Sequence, residues 1–220
     1  MDLIEIMKQR HSVRQYADKK IPEEIRNELN KCINEYNTKG NLNIQIFYDE
    51  PVCFSSRMAK YGRFENCNNY IVMIGKKAPD LDERVGYYGE LLVLKAQKLG
   101  LNSCWVALTH GKSKAVLGKY EKEVIIISIG YGANQGKPHK DKALSSLSNI
   151  SDDSPEWFKK GMEAVMLAPT AVNQQKFHFT QNGNTVTAKT TGIGSCLKID
   201  LGIVKCHFEL GAGKDNFQWN

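Results

Sequence analysis

Two guanidiniums flank a hydroxyl at Arg10-His11-Ser12-Val13-Arg14. Arginine presents a rigid fork of N–H donors, so two of them around a serine suit a phosphate or another planar oxyanion. In extended backbone, positions 10, 12 and 14 face the same way. Taken alone, the run is more commonly a solvated basic turn, favoured where it follows the C-terminal end of a helix. A second basic cluster, Lys137-Pro138-His139-Lys140-Asp141-Lys142, follows the apolar run Val124–Ile129 and the Gly130-Tyr131-Gly132 turn. Backbone N–H groups and ammonium groups converge where such a strand stops, which again suits phosphate; a solvated lysine-rich loop is the equal alternative.

Other chemistries lack their residues. The histidines His11, His110, His139, His178 and His207 show no metal-ligand spacing with one another or with cysteine. No Ser/His/Asp set and no G-x-G-x-x-G fingerprint is present. Six cysteines without framework spacing read as reduced thiols of a cytoplasmic protein. Cys104 reads as a small strand side chain, with no basic partner evident.

The elements that position these residues follow from apolar spacing. Leu3–Met7 gives one or two helical turns ahead of the first basic run. Pro22-Glu23-Glu24 opens a helix carrying Ile25, Leu29, Cys32 and Ile33, running to about Tyr36 and closed by Asn37–Gly40. Alternation over Asn43–Tyr48 predicts a half-buried strand, and the continuous run Tyr70–Gly75 a buried one. Met58–Phe64 and Ser113–Leu117 fit short helices. Asp82–Leu99 fits the longest helix, with Gly86 and Gly89 permitting close packing. Cys104–Leu108 is a further strand, and Thr109-His110-Gly111 a loop.

With 220 residues, 41% hydrophobic and 25% charged, the chain can bury one substantial core and is ordinary for a folded protein. The net charge of +6 favours anionic ligands, but lysine and arginine are spread along the sequence, and nucleic acid is not indicated. No apolar run approaches a membrane span or an export signal.

Ser145–Ser154 reads as a surface linker, after which the chain begins again. Pro155-Glu156 repeats the start at Pro22-Glu23. Asn173-Gln174-Gln175-Lys176-Phe177 then falls near Asn43-Ile44-Gln45-Ile46-Phe47, and Leu201-Gly202 over Val85-Gly86. The reading is two lobes, 1–150 and 151–220, the second a shorter degenerate repeat that lacks the anion-binding parts.

Ala168-Pro169-Thr170-Ala171-Val172-Asn173-Gln174-Gln175, taken with the Arg10–Arg14 run, resembles the FMN-dependent nitroreductase family. In that family an Arg-x-Ser-x-Arg run grips the flavin phosphate and ribityl chain, and a Pro-Ser-x-x-Asn-x-Gln segment from the partner subunit completes the site. Gly100–Trp105, Gly130-Tyr131, Lys140 and Lys142 resemble the family's Gly-x-Cys-Trp strand and phosphate-closing turn. Lys176-Phe177 stands where Pro-Trp is common, and Thr170 where Ser is usual.

The resemblance implies an α+β fold with a central, mainly antiparallel sheet flanked by helices. It further implies a monomer acting as a pseudo-dimer, in which the second lobe replaces a second subunit. FMN would be held by Arg10, His11, Ser12 and Arg14, by backbone along Trp105, Val106, Ala107 and Leu108, by Lys140 and Lys142, and by Pro169, Thr170, Asn173 and Gln175. His110 and Tyr131 are weaker candidates. Hydride would pass from NAD(P)H through the flavin to a nitroaromatic, quinone or similar small aromatic acceptor, with no indispensable catalytic side chain. The alternative is a protein that holds flavin or another phosphate ligand without efficient turnover.

Overall fold

The computed structural model describes residues 2–220, and it divides the chain into two compact units that interleave along the sequence. One gathers residues 9–81 and 91–137, the other 2–8, 82–90 and 138–220.

The first unit is built on a four-stranded sheet ordered β1-β2-β4-β3 and antiparallel throughout: β1 Gln45–Phe47, β2 Tyr70–Lys76, β3 Asn102–Val106 and β4 Glu121–Gly130. Six consecutive buried residues in β2, Tyr70–Gly75, explain its unbroken apolar run, since both faces are covered. Tyr70, Val72, Ile74, Cys104, Val106 and Ile126 share one core cluster with Val13, Tyr16, Phe54 and Phe64 from the preceding loops. The helix preceding β1, α2, runs over Glu23–Gly40 from an N-cap at Pro22. It outlasts the expected stop near Tyr36. Asn37 stays helical and uses its side chain outward, accepting from Ile44 N and donating to Ile44 O, while Asn41 turns left-handed (φ 47°) to end the helix.

Three further readings are corrected. Residues 113–117 form no helix: the Lys114 amide donates to the Tyr70 hydroxyl and the Val116 amide to Gln45 Oε1, so side chains of strand residues take the donors a helix would need. β3 ends at Val106, leaving Ala107 and Leu108 in an exposed turn. Residues 145–154 are not simply a surface linker, because Leu147 and Ser148 are buried and bonded to Phe179 backbone.

The second unit packs α5 (Glu156–Val165) against α6 (Leu197–Ala212) over a three-stranded sheet, β5 (Phe177–Asn182), β6 (Thr185–Thr190) and β7 (Gln218–Trp219). β5 and β6 are antiparallel, β6 and β7 parallel. Phe208 centres an aromatic cluster, with Phe179 stacked at 5.0 Å and Phe217 edge-on at 5.0 Å. Helix α4 (Leu81–Lys98) runs through both units, and its residues 82–90 belong to this one. At 18 residues it equals α2 in length. Its buried Glu90 meets His207 Nε2 at 2.9 Å, while His207 Nδ1 donates to Ala164 O.

In the same unit α4 and α6 touch backbone to backbone through glycine. A Cβ on Gly86 would lie 2.0 Å from Ile199 O, and one on Gly202 would lie 2.0 Å from Glu83 O. Ile199 precedes Gly202 by three residues, as Glu83 precedes Gly86, so each helix meets the other through the same positions.

Candidate functional site

The Arg10–Arg14 run lies along β3. Ser12 forms a parallel bridge to Ser103, and Val13 N donates to Ser103 O at 2.9 Å. Val13 and Tyr16 anchor it in the core, the Tyr16 hydroxyl donating to Val13 O or sharing a proton with Ser128 Oγ. The next strand position, Cys104, is where the run converges. Burial pushes the Cys104 thiol above its usual range, and Arg14, the Ser12 hydroxyl and Arg10 all pull it back down. Two guanidiniums and a hydroxyl thus act electrostatically on one buried thiol, with no carboxylate among the groups acting on it. Ser12 and Arg14 are exposed, whereas Arg10 is buried. The cations that act on Cys104 lie 90 and 94 residues earlier in the chain and are invisible in its local sequence.

The Gly132–Gly136 turn closes on this run. His11 Nδ1 lies 3.2 Å from Gln135 O, and Gly136, at φ +69°, sits so near that a Cβ would fall 2.7 Å from His11 Cβ. Only glycine meets both demands, the left-handed backbone and the close approach. Asn102 fixes the turn from β3, accepting from Gly132 N and donating to Gln135 Oε1. Trp105 and Val106 lie in β3 opposite Ile127 and Ile126; Ala107 and Leu108 follow in the turn. His110 Nδ1 lies 2.7 Å from the adjacent Gly111 carbonyl oxygen, and Tyr131 carries Lys19 over its ring at 4.0 Å. A polar cavity of about 230 Å³, lined by residues including Tyr16, Lys19, Asn66, Asn68 and Asn69, opens in this unit.

In the other unit the remaining expected residues do come together. Asn173 Nδ2 and Gln175 Nε2 both donate to Lys140 O; Gln175 Oε1 accepts from Lys142 N, and Lys142 Nζ donates to the carbonyls of Gln174 and Gln175. Thr170 Oγ1 accepts from Gln175 N, and Pro169 leads into the turn, half-buried. The Lys142 ammonium is thus committed to this clasp, while Lys140 keeps its side chain exposed. Val172, Asn173 and Gln175 all adopt positive φ (47°, 54° and 42°), an arrangement costly for a β-branched valine that is 94% exposed.

Asp200 holds that strained turn, and the sequence reading missed it. Its buried carboxylate accepts from Ala171 N at 3.0 Å and from Gln174 Nε2 at 2.7 Å. Burial raises its pKa to about 6, with the two bonds pulling the other way. Nothing local marks it: it is one acidic residue in the first turn of an apolar helix.

A raised acid pKa costs stability once the group ionises, so the contribution is fully present below the unfolded value near 4 and lost as pH rises through about 6. Asp200→Asn removes that burden. The stability of the variant relative to the natural chain should therefore shift in the variant's favour by about 2 kcal/mol between pH 4 and pH 7. Urea unfolding across that range checks this, and a pH-independent difference contradicts it.

The family model described as "Putative TM nitroreductase" matches residues 2–212. The chain belongs to this nitroreductase family. Among solved structures, a Thermotoga maritima nitroreductase matches with a TM-score of 0.72 at 24% identity, spanning 98% of this chain and 85% of its own. A Desulfovibrio desulfuricans nitroreductase in complex with FMN gives a TM-score of 0.54 at 15% identity, over 70% of this chain and 99% of that one. An FMN-dependent nitroreductase from Clostridium difficile gives 0.50 at 21%, over 64% and 92%. These likenesses are of fold, and they agree with the α+β architecture of antiparallel sheet and helices expected of a nitroreductase. No curated protein sequence matches the chain.

Among the described residues of this nitroreductase, no helix is long and apolar enough to cross a membrane, and no group of three His, Cys, Asp or Glu side chains is placed to hold a metal ion.

Proposed function

We propose that this nitroreductase is an FMN-dependent oxidoreductase that passes hydride from NAD(P)H to a nitroaromatic, quinone or similar acceptor. The observation that carries the reading is the Arg10–Arg14 run laid along β3 by the Ser12–Ser103 bridge, beside a glycine turn pressed against His11. That donor set, all cation and hydroxyl, fits the phosphate end of a flavin nucleotide. When bound, FMN supplies the redox chemistry at its N5. The chain's own part is to neutralise the phosphate with Arg10 and Arg14, to hydrogen-bond it through Ser12, and to offer backbone at Trp105–Leu108. In the other unit, Gln175 sets the shape of the Pro169–Gln175 turn through Lys140 and Lys142.

The reading of the chain as a single-subunit pseudo-dimer, with lobes 1–150 and 151–220, has three supports. Apart from the short helix at 57–61 between β1 and β2, the order helix, strand, strand, helix recurs as α2-β1-β2-α4 and α5-β5-β6-α6, each strand pair antiparallel. The reciprocal Gly86 and Gly202 contacts are those of an interface between like surfaces. Solved nitroreductases that align over 92% and 99% of their own length take in only 64% and 70% of this chain, which leaves room for a second unit.

Freshly purified protein should be yellow, and its flavin absorbance should bleach within seconds of NADPH or NADH addition under anaerobic conditions, then return with a nitroaromatic or quinone. A yellow protein that neither donor bleaches is a flavin-binding protein without turnover; a colourless one that takes up no FMN ends the flavin reading.

A further inference from the structure

The whole net charge of the chain sits on two short segments. Residues 51–64 contain Arg57, Lys60 and Arg63 and no acid, and residues 107–120 contain Lys112, Lys114 and Lys119 and no acid; the chain's net charge is +6. Though far apart in sequence, the segments are laced together within one unit. Gly111 N donates to Cys53 O at 2.6 Å, a Cβ on Gly111 would lie 3.1 Å from Ser56 Cβ, and one on Gly62 would lie 2.6 Å from Thr109 Cβ. The even spread of cations read from the sequence is thus gathered by the fold.

Lys114 is used by Glu50 at 3.6 Å and Lys119 lies over Tyr120, but Arg57, Lys60, Arg63 and Lys112 are exposed, with no ion pair recorded among the described residues. Between them stand apolar side chains that the core leaves out: Met58 is 47% exposed, Tyr61 81% and Leu108 79%. Four open cations interleaved with three apolar side chains over α3 (Arg57–Tyr61) and one facing turn match a ligand that joins flat rings to phosphates. The turn that presents Leu108 continues directly from β3, the strand to which the flavin-side backbone is assigned.

We propose that segments 51–64 and 107–120 are where this protein receives its nicotinamide donor. Arg57, Lys60, Arg63 and Lys112 hold the dinucleotide phosphates, and their number selects the donor that bears an additional ribose phosphate. The inference rests on the FMN reading for its place in the reaction, and on charge and exposure for the ligand.

The test is the triple variant Arg57→Gln, Lys60→Gln, Arg63→Gln, all exposed positions whose loss leaves the core intact. For the flavin-loaded protein the KM for NADPH should rise about tenfold or more, with kcat within about twofold. The KM for NADH should rise less, and the salt dependence of kcat/KM for NADPH should flatten. An unchanged NADPH KM, or equal losses for the two donors, overturns the proposal. So does a duplex DNA oligonucleotide that displaces NADPH from the natural protein at equal concentration. Calorimetric titration with NADP⁺ separates this from the flavin reading. If the protein takes up no FMN, NADP⁺ binding that the triple variant loses sustains the platform alone, and absence of NADP⁺ binding overturns it.

Discussion

Gly86→Ala and Gly202→Ala should each destabilise the protein by about 3 kcal/mol. Both glycines lie inside helices, where alanine is intrinsically the better residue by up to about 1 kcal/mol, so propensity alone predicts the opposite sign. What reverses it is the crossing of α4 and α6. The atoms a new methyl would meet at 2.0 Å are the carbonyl oxygens of Ile199 and Glu83, with Tyr87 N at 2.7 Å beyond Gly202. Backbone cannot rotate aside as a side chain can, so the helices must separate. Separation loosens contacts on both sides: the Lys205–Glu83 pair, the Tyr87–Glu209 hydrogen bond and the buried His207–Glu90 contact. Because the two glycines act at one crossing, the double variant should cost less than the sum of the singles. Urea unfolding reads all three values. A Gly86→Ala variant as stable as the natural protein would mean that the crossing is not this close.

Arg14→Ala should weaken FMN binding by about 1.5–3 kcal/mol, the scale of a hydrogen bond to a charged group. Arg14 is exposed, so its truncation opens no cavity, and unfolding midpoints without flavin should hardly move. Arg14→Lys should recover part of the loss, since it restores charge without the planar fork. The buried Arg10 offers no such clean test, because its removal disturbs packing as well as charge. Fluorescence titration of the flavin-free protein gives the dissociation constants, and an unchanged value for Arg14→Ala removes the residue from the site.

How far the sequence could be read divides along the range of the interactions. Strands β2 and β4 and helices α2, α4 and α5 were legible because burial writes itself into apolar spacing over the element's own length. The anion-binding run was legible as chemistry, since two arginines around a serine are contiguous. What could not be read depended on partners far along the chain. The helix expected at 113–117 gave way because Tyr70 and Gln45 took its amides. The Cys104 thiol gained its cationic neighbours only when the Arg10–Arg14 run was laid against β3. Asp200 is an ordinary residue of a helix first turn until residues 171–174 fold onto it. The cations of segments 51–64 and 107–120 look dispersed because the link that gathers them is a backbone hydrogen bond between Gly111 and Cys53. The repeat proposed for the two lobes shows in the sequence only in outline, through the proline starts at Pro22 and Pro155 and the glycines of α4 and α6.

The central claim is that one chain holds one flavin, the second lobe standing in for a second subunit. Native mass spectrometry of the protein saturated with FMN reads it directly. The account predicts a dominant species with the mass of one chain plus one FMN, at a concentration where no two-chain species is present. Flavin found only on two-chain species, or single chains that remain free of it at saturation, would contradict the account.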